Sequence, residues 1–227
     1  MMATTHDDLA IAAADVVLRG DLHVPHEATG VVVFAHGSGS SRRSPRNRGV
    51  ATYLQEQGLG TLLFDLLTAE EEHADAYSGR YRFDIAFLAQ RLLGVTDWLT
   101  EYRGTPASVG YFGASTGAAA ALVAAAEIPD AVAAVVSRGG RPDLAGTALG
   151  RVRAPTLLIV GGDDPTVLGL NESALRELRC EKELIVIPGA THLFEEPGTL
   201  DAVARYAAQW FVRHLPGRNQ SDKRFVQ

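Results

Sequence analysis

Three kinds of side chain stand in this chain where chemistry is possible. Ser115 is the centre of Gly113-Ala114-Ser115-Thr116-Gly117, the carboxylates Asp163 and Asp164 follow Gly161-Gly162, and His192 closes Pro188-Gly189-Ala190-Thr191-His192. A serine hydroxyl is a poor nucleophile at neutral pH. It needs a base within hydrogen-bond reach and a third group that orients the base. An imidazole and a carboxylate are those groups, and they arrive in the chain order Ser, Asp, His. The chemistry would be acyl transfer: the serine attacks a carbonyl, the imidazole moves the proton, and water releases the acyl group.

Such side chains need elements that carry them to one place. Val109–Phe112 is a short apolar run, Ser115 follows a glycine, and Ala118–Ala126 is an alanine-rich stretch that can only be helix. This spells strand, tight turn, helix, with the serine at the apex and glycines on both flanks because strand and helix must approach closely there. Residues 30–35 are an unbroken apolar run that reads as a strand covered on both faces, and 61–65, 131–136, 155–160 and 184–187 read as further, mainly apolar strands. Residues 9–13 and 16–24 read as an antiparallel pair at a sheet edge. Helices are expected at about 46–57, closed by Gly58, then at 83–102, 171–179 and 199–214. The acidic stretch 66–82, with Glu70-Glu71-Glu72, reads as the longest irregular segment and a solvated loop.

Alternating strands and helices predict an α/β fold with a mainly parallel sheet and helices on both faces. Ligands of such sheets sit outside the carboxyl ends of the strands. His36, Ser115, Asp163/Asp164 and His192 all fall there. Between Val136 and Pro155 there is room for one short helix but no cap domain, so an open, shallow cleft for short or compact esters is expected.

Composition sets the bounds. At 227 residues and 46% hydrophobic content the chain can fill one core, and residues 1–215 are expected to form a single domain with 216–227 as a polar tail. A net charge of −6 argues against a nucleic-acid surface. No run approaches the roughly 18 apolar residues of a membrane span. The lone Cys180 and the absence of a visible signal peptide point to a cytoplasmic protein, monomer or homodimer. The seven histidines show no metal-ligand spacing, and neither a metal nor a cofactor is expected.

Four segments together resemble the α/β-hydrolases of the dienelactone-hydrolase-like group, over nearly the whole chain to about Leu215. They are His36-Gly37-Ser38-Gly39, the Gly113–Gly117 elbow, Gly161-Gly162-Asp163-Asp164-Pro165-Thr166-Val167 and Pro188–His192. The resemblance implies an α/β-hydrolase fold and a cofactor-independent hydrolase acting on a small-molecule ester. Family members commonly read Gly-x-x-Asp-x-x-Val before the last helix. Gly161, Asp164 and Val167 match, so Asp164 is the implied acid and Asp163 is one residue off. Backbone amides of Thr116 and Ser38, with Gly39 as alternative, are the implied oxyanion hole. His36 is read as bracing its loop.

Dienelactone hydrolases proper carry cysteine at the elbow. Ser115 stands there instead, which points towards ordinary carboxylic esters, with thioesters, lactones and small peptides as neighbouring substrates of the same triad. A ligand-binding module on the same scaffold is the rival from another class. Arg42, Arg43, Arg46 and Arg48 crowd the segment after the expected oxyanion loop; one or more, with Arg138, would attract an acidic acyl or leaving group. Tyr77, Tyr81 and Phe83 are candidates for a flap that lines the pocket.

Overall fold

The continuous apolar runs become the sheet. The computed structural model describes residues 4–102, 105 and 108–215. It has eight strands: β1 (Thr4–Ala13), β2 (Val16–Val24), β3 (Val31–Ala35), β4 (Gly60–Phe64), β5 (Val109–Ala114), β6 (Val132–Arg138), β7 (Thr156–Gly161) and β8 (Lys182–Ile187). They lie in the order β1-β2-β4-β3-β5-β6-β7-β8. The antiparallel pair β1–β2 forms one edge, β2 runs antiparallel to β4, and every pair from β4 to β8 is parallel. This is the α/β-hydrolase arrangement.

Among the described residues six α-helices cover the sheet: α1 (Pro45–Glu56), α2 (Ala69–Ser78), α3 (Ile85–Glu101), α4 (Thr116–Glu127), α5 (Pro165–Glu177) and α6 (Thr199–His214). Side chains alternate across each strand. Val32, Phe34, Phe112, Ala134 and Val136 therefore join α1 and α6 in one core layer. Val31, Val33, Tyr111 and Val135 join α3 and α4 in the other. Each fully buried Leu or Phe contributes on the order of 1.5–3 kcal/mol, and both faces of the central strands are filled with them. The alanines of α4 are almost all buried; their small side chains let this helix lie close to the sheet.

Three expectations need correction. Residues 69–78 are helix, not loop. Thr68 and Glu71 form a reciprocal capping box, and Arg91 of α3 binds Glu71 at 2.5 Å, so the acidic run caps and anchors α2 instead of dissolving it. Helix α5 begins at Pro165, six residues ahead of the expected start at 171, because Asp164 caps it and proline suits its first turn. Strand β6 continues through Ser137 and Arg138, residues expected in its exit loop. The tail 216–227 lies outside the described residues. Between β6 and β7 the chain makes two 3-10 turns that meet at Gly146, within Pro142–Arg151. Among the described residues no helix is long and apolar enough to cross a membrane.

Candidate active site

The elbow is built from steric necessity. Ser115 sits between β5 and α4 with φ 51° and ψ −121°, a strained conformation for a residue with a side chain. A Cβ on Gly113 would overlap the Cα of Ala118 in α4. One on Gly117 would run into the carbonyl of Ala35 and come within 2.5 Å of that of His36. Only glycine fits at either flank. The apex is bolted to the next strand, since the Ser115 amide donates to the Arg138 carbonyl at 3.3 Å and the Ser115 carbonyl accepts from Arg141 at 3.1 Å.

His192 lies in the turn after β8. Its Nδ1 is 2.7 Å from Asp164 Oδ2, and Asp164 also accepts the Val167 amide at 3.4 Å with Oδ1. The carboxylate thus has two oxygens with two duties, one capping α5 and one orienting the imidazole. Asp163 makes no side-chain hydrogen bond to His192 among the described residues; its amide donates to the Ala190 carbonyl at 2.9 Å. The His192 turn abuts the exit of β6, where a Cβ built on Gly139 would lie 3.6 Å from His192 Cε1. Ser115, the β6 exit and His192 are therefore contiguous at one rim. Ser115 Oγ and His192 Nε2 carry no hydrogen bond among the described residues, a common state before substrate tightens such contacts.

The oxyanion loop has a partner that its sequence did not announce. The Ser38 amide donates to Thr116 Oγ1 at 3.1 Å, and Thr116 is buried. One expected oxyanion donor is thus tied to the side chain of the residue supplying the other. Gly39 has φ +68° and open space around it. His36 braces the loop as expected. Its Nε2 accepts the Leu66 amide at 3.0 Å, so the ring proton is on Nδ1 and is donated to the Gly37 carbonyl at 2.9 Å. Burial pushes the imidazole below its ordinary value, which keeps it neutral.

Behind the catalytic turn, Glu196 accepts from the Thr191 amide at 3.1 Å and from its hydroxyl at 2.6 Å. Those bonds, the hydroxyl's first, hold its carboxyl below the usual range. Glu195 binds Arg46 at 3.1 Å. The sequence marks these acids only as negative charge ahead of a helix; their fit to Thr191 and Arg46 comes from the fold.

Two candidates for substrate binding are drawn elsewhere. Arg42 is buried and held by Asp65, by Asp8 at 2.8 Å and by Asp21 at 3.5 Å. Three carboxylates around one guanidinium make it a structural tie between β1, β2 and the end of β4, not a free cation. Tyr81 packs its ring 5.2 Å from that of Phe87, while its amide donates to Asp75 Oδ1 at 2.6 Å. That contact locks the α2–α3 corner, so Tyr81 is a packing residue there. Tyr77 and Phe83 remain exposed. Arg138 is the exception, buried without any carboxylate within salt-bridge distance among the described residues. Cys180 sits at the opposite, amino end of the strands, 3.7 Å from Thr156 Oγ1.

A cavity of about 800 Å³ opens between the β1–β2 hairpin and α2, walled by Arg19, Arg42, Asp65 and Glu70. It misses Ser115 and His192, and its lining charges largely neutralise one another. A smaller one reaches Gly37, Ser38, Gly39 and Thr116. The second lies at the oxyanion loop and is the one that bears on chemistry.

Comparison with known proteins places the fold. A dienelactone hydrolase from Anabaena variabilis is 57% identical, with TM-score 0.91 over 95% of this chain and 100% of that chain. An α/β serine hydrolase without lid from Xanthomonas campestris is 19% identical, with TM-score 0.72 over 95% of this chain and 96% of that one, a likeness of fold. A Mycobacterium tuberculosis protein bearing a provisional phosphoribosyl transferase name is 57% identical over 95% of this chain but only 48% of its own length. The chain spans about half the length of the curated relatives it matches first. The profile of the Dienelactone hydrolase family matches residues 18–214, and the chain belongs to that family.

Proposed function

We propose that the protein is a serine hydrolase that cleaves carboxylic esters through an acyl-enzyme on Ser115. The observation that carries this reading is the 2.7 Å contact between His192 Nδ1 and Asp164 Oδ2, at the same rim as a serine held at φ 51°. Asp164 fixes the Nδ1–H tautomer, which leaves Nε2 as the lone pair able to take the Ser115 proton. The alkoxide attacks the ester carbonyl, the Thr116 amide and a loop amide (Gly39, or Ser38 once it leaves the Thr116 hydroxyl) hold the oxyanion, and the imidazolium returns the proton to the leaving alcohol. Water then repeats the sequence to free the acid.

A thioester, lactone or small peptide would pass through the same acyl-enzyme, and acyl chemistry on such a scaffold is decided by the pocket. The transferase name of the M. tuberculosis relative belongs to a protein about twice as long. It carries no weight against hydrolysis by the shared half. A fluorophosphonate probe should label Ser115 in the intact protein and fail on Ser115→Ala. A series of 4-nitrophenyl esters of rising chain length then separates ester cleavage from the alternatives. No labelling and no turnover of any member would leave only the ligand-binding reading.

A further inference from the structure

Among the described residues Arg138 is a buried cation with no carboxylate within salt-bridge distance. Arg138 ends β6 and is 7% exposed. It follows Ala134 and Val136 on the face that packs against α1 and α6, so its side chain enters between the first turn of α1 and the turn carrying His192. There Nη2 reaches Asn47 Oδ1 at 3.5 Å, and the guanidinium carbon lies 5.8 Å from the centre of the Phe194 ring. Its Nε is enclosed with no hydrogen-bond partner. The charge it feels is another cation, Arg46, and burial together with that repulsion pulls the guanidinium down to about 10. It is still protonated at neutral pH. Arg46 has Glu195 on Nη1, but its Nε is also without a partner.

The other two arginines buried among the described residues also have an unpartnered Nε, but their charge is paired. Arg42 has three carboxylates, and Arg91 has Glu71 and Asp15. An unpaired buried charge is costly enough that a protein keeps one only where something compensates it. The place is telling. Arg138 pairs with Ala114 across the sheet, its carbonyl receives the Ser115 amide, and the next residue touches the His192 turn. Arg138 therefore ends the strand adjoining the nucleophile, and its guanidinium lies against the first turn of α1 and the turn that carries His192.

We propose that Arg138, with Arg46 and Asn47, forms an oxyanion subsite beside Ser115, and that the ester substrate carries a carboxylate or phosphate that fills it. The proposal rests on the serine-hydrolase reading for its substrate, though not for its anion. A planar guanidinium presents a fork that matches either group with two parallel hydrogen bonds. Asn47 adds an amide, and Phe194 shields the pair from water. The rival role, a packing pin between α1 and the His192 turn, predicts no preference for charge.

Three matched substrates separate these: the methyl ester of mono-4-nitrophenyl glutarate, the free mono-4-nitrophenyl glutarate, and 4-nitrophenyl 3-phosphonopropanoate. The quantity read is kcat/KM for each anionic ester divided by that for the neutral one, which cancels any loss common to all. The quotient should be about 10- to 100-fold in favour of one anion, as expected for charge-assisted bonds, and the larger of the two names carboxylate or phosphate. It should fall at least about 10-fold in Arg138→Gln and less in Arg138→Lys, which keeps charge but loses the fork. A quotient near one, or one unchanged in Arg138→Gln, overturns the proposal. If Arg138→Gln does not fold, Arg46→Gln, at the more exposed partner, must lower the same quotient. If no ester is turned over and the fluorophosphonate does not label Ser115, the hydrolase reading has failed. Calorimetric titration with benzoate and inorganic phosphate then decides the subsite. Binding lost in Arg138→Gln upholds it, and no binding of either anion to the unaltered protein overturns it.

Discussion

The carboxyl rim of the sheet divides into two halves that treat polar groups in opposite ways. At β2, β4 and β3 the charges are paired: Arg42 is ringed by Asp8, Asp21 and Asp65, although its Nε makes no hydrogen bond, and both nitrogens of His36 are engaged. At β5, β6 and the turn after β8 the groups are left open. Ser115 Oγ and His192 Nε2 lack partners among the described residues, and Arg138 Nε is buried and unpaired. Both halves are well packed, so the difference is not one of order. Closed groups hold the oxyanion loop in place; open ones are available to something that is not the protein. Site and scaffold are told apart here by whether a buried charge has a carboxylate beside it.

The largest test of that division is Ser115→Ala. On the open half it should lower kcat by about 10⁴-fold or more, while the melting temperature shifts little, since surface-type changes of this kind stay within about 0.5 kcal/mol. Retention of most of the ester turnover would erase the contrast. The matching test on the closed half is Arg42→Ala. It strands Asp65 and Asp21, and by the scale of broken buried pairs, discounted for their partial exposure, it should cost about 2–4 kcal/mol of stability. Urea unfolding measures it. A loss below about 0.5 kcal/mol would mean that the cluster is only a surface network.

Thr116→Val probes the seam between the halves, where the Thr116 hydroxyl receives the Ser38 amide at 3.1 Å. Losing the acceptor frees the loop that is to hold the oxyanion. We expect kcat to fall about 5- to 30-fold with KM little changed, as for a modest hydrogen bond, and Thr116→Ser to restore most of it. An unchanged kcat in Thr116→Val would show that the clasp is idle.

How much of this was legible beforehand follows the same division. The central strands were readable because both faces are buried and nearly every position is apolar, Thr61 and Thr156 apart. The elbow was readable because Gly113 and Gly117 are required by atoms of α4 and the β3 exit. Helix α2 was missed although its capping residues, Thr68 and Glu71, are in the sequence. Its acidic surface resembles a solvated loop, and the Arg91 that holds it lies 20 residues away. The start of α5 was missed because Asp164 was read for chemistry alone, while it also caps the helix. Arg42 and Arg138 could not be distinguished at all. Both are arginines near the rim, and whether a carboxylate lies beside each is a property of strand order, not of local sequence.

The smallest expected effect tests whether the closed half is as rigidly committed as its bonding suggests. His36 accepts at Nε2 and donates from Nδ1, a pattern only the neutral ring can make, and burial lowers its affinity for a proton. Below the ordinary imidazole value of about 6.5 the unfolded chain takes up a proton that the folded one resists, so unfolding is favoured as the solution is acidified. Stability should therefore drop between pH 7.5 and pH 5. His214, also lowered by burial, contributes in the same direction, whereas Asp75 and Glu196, held below the usual carboxylate range, lose their contributions only at lower pH. His36→Gln removes one titrating group and keeps a side chain able to donate and accept. Its unfolding free energy should fall less over that interval than that of the unaltered protein, by up to about 1 kcal/mol, with His214 supplying what slope remains. Parallel pH profiles would mean that His36 takes up its proton in the folded state as easily as in the unfolded one, and that the Leu66 amide yields its bond when it does.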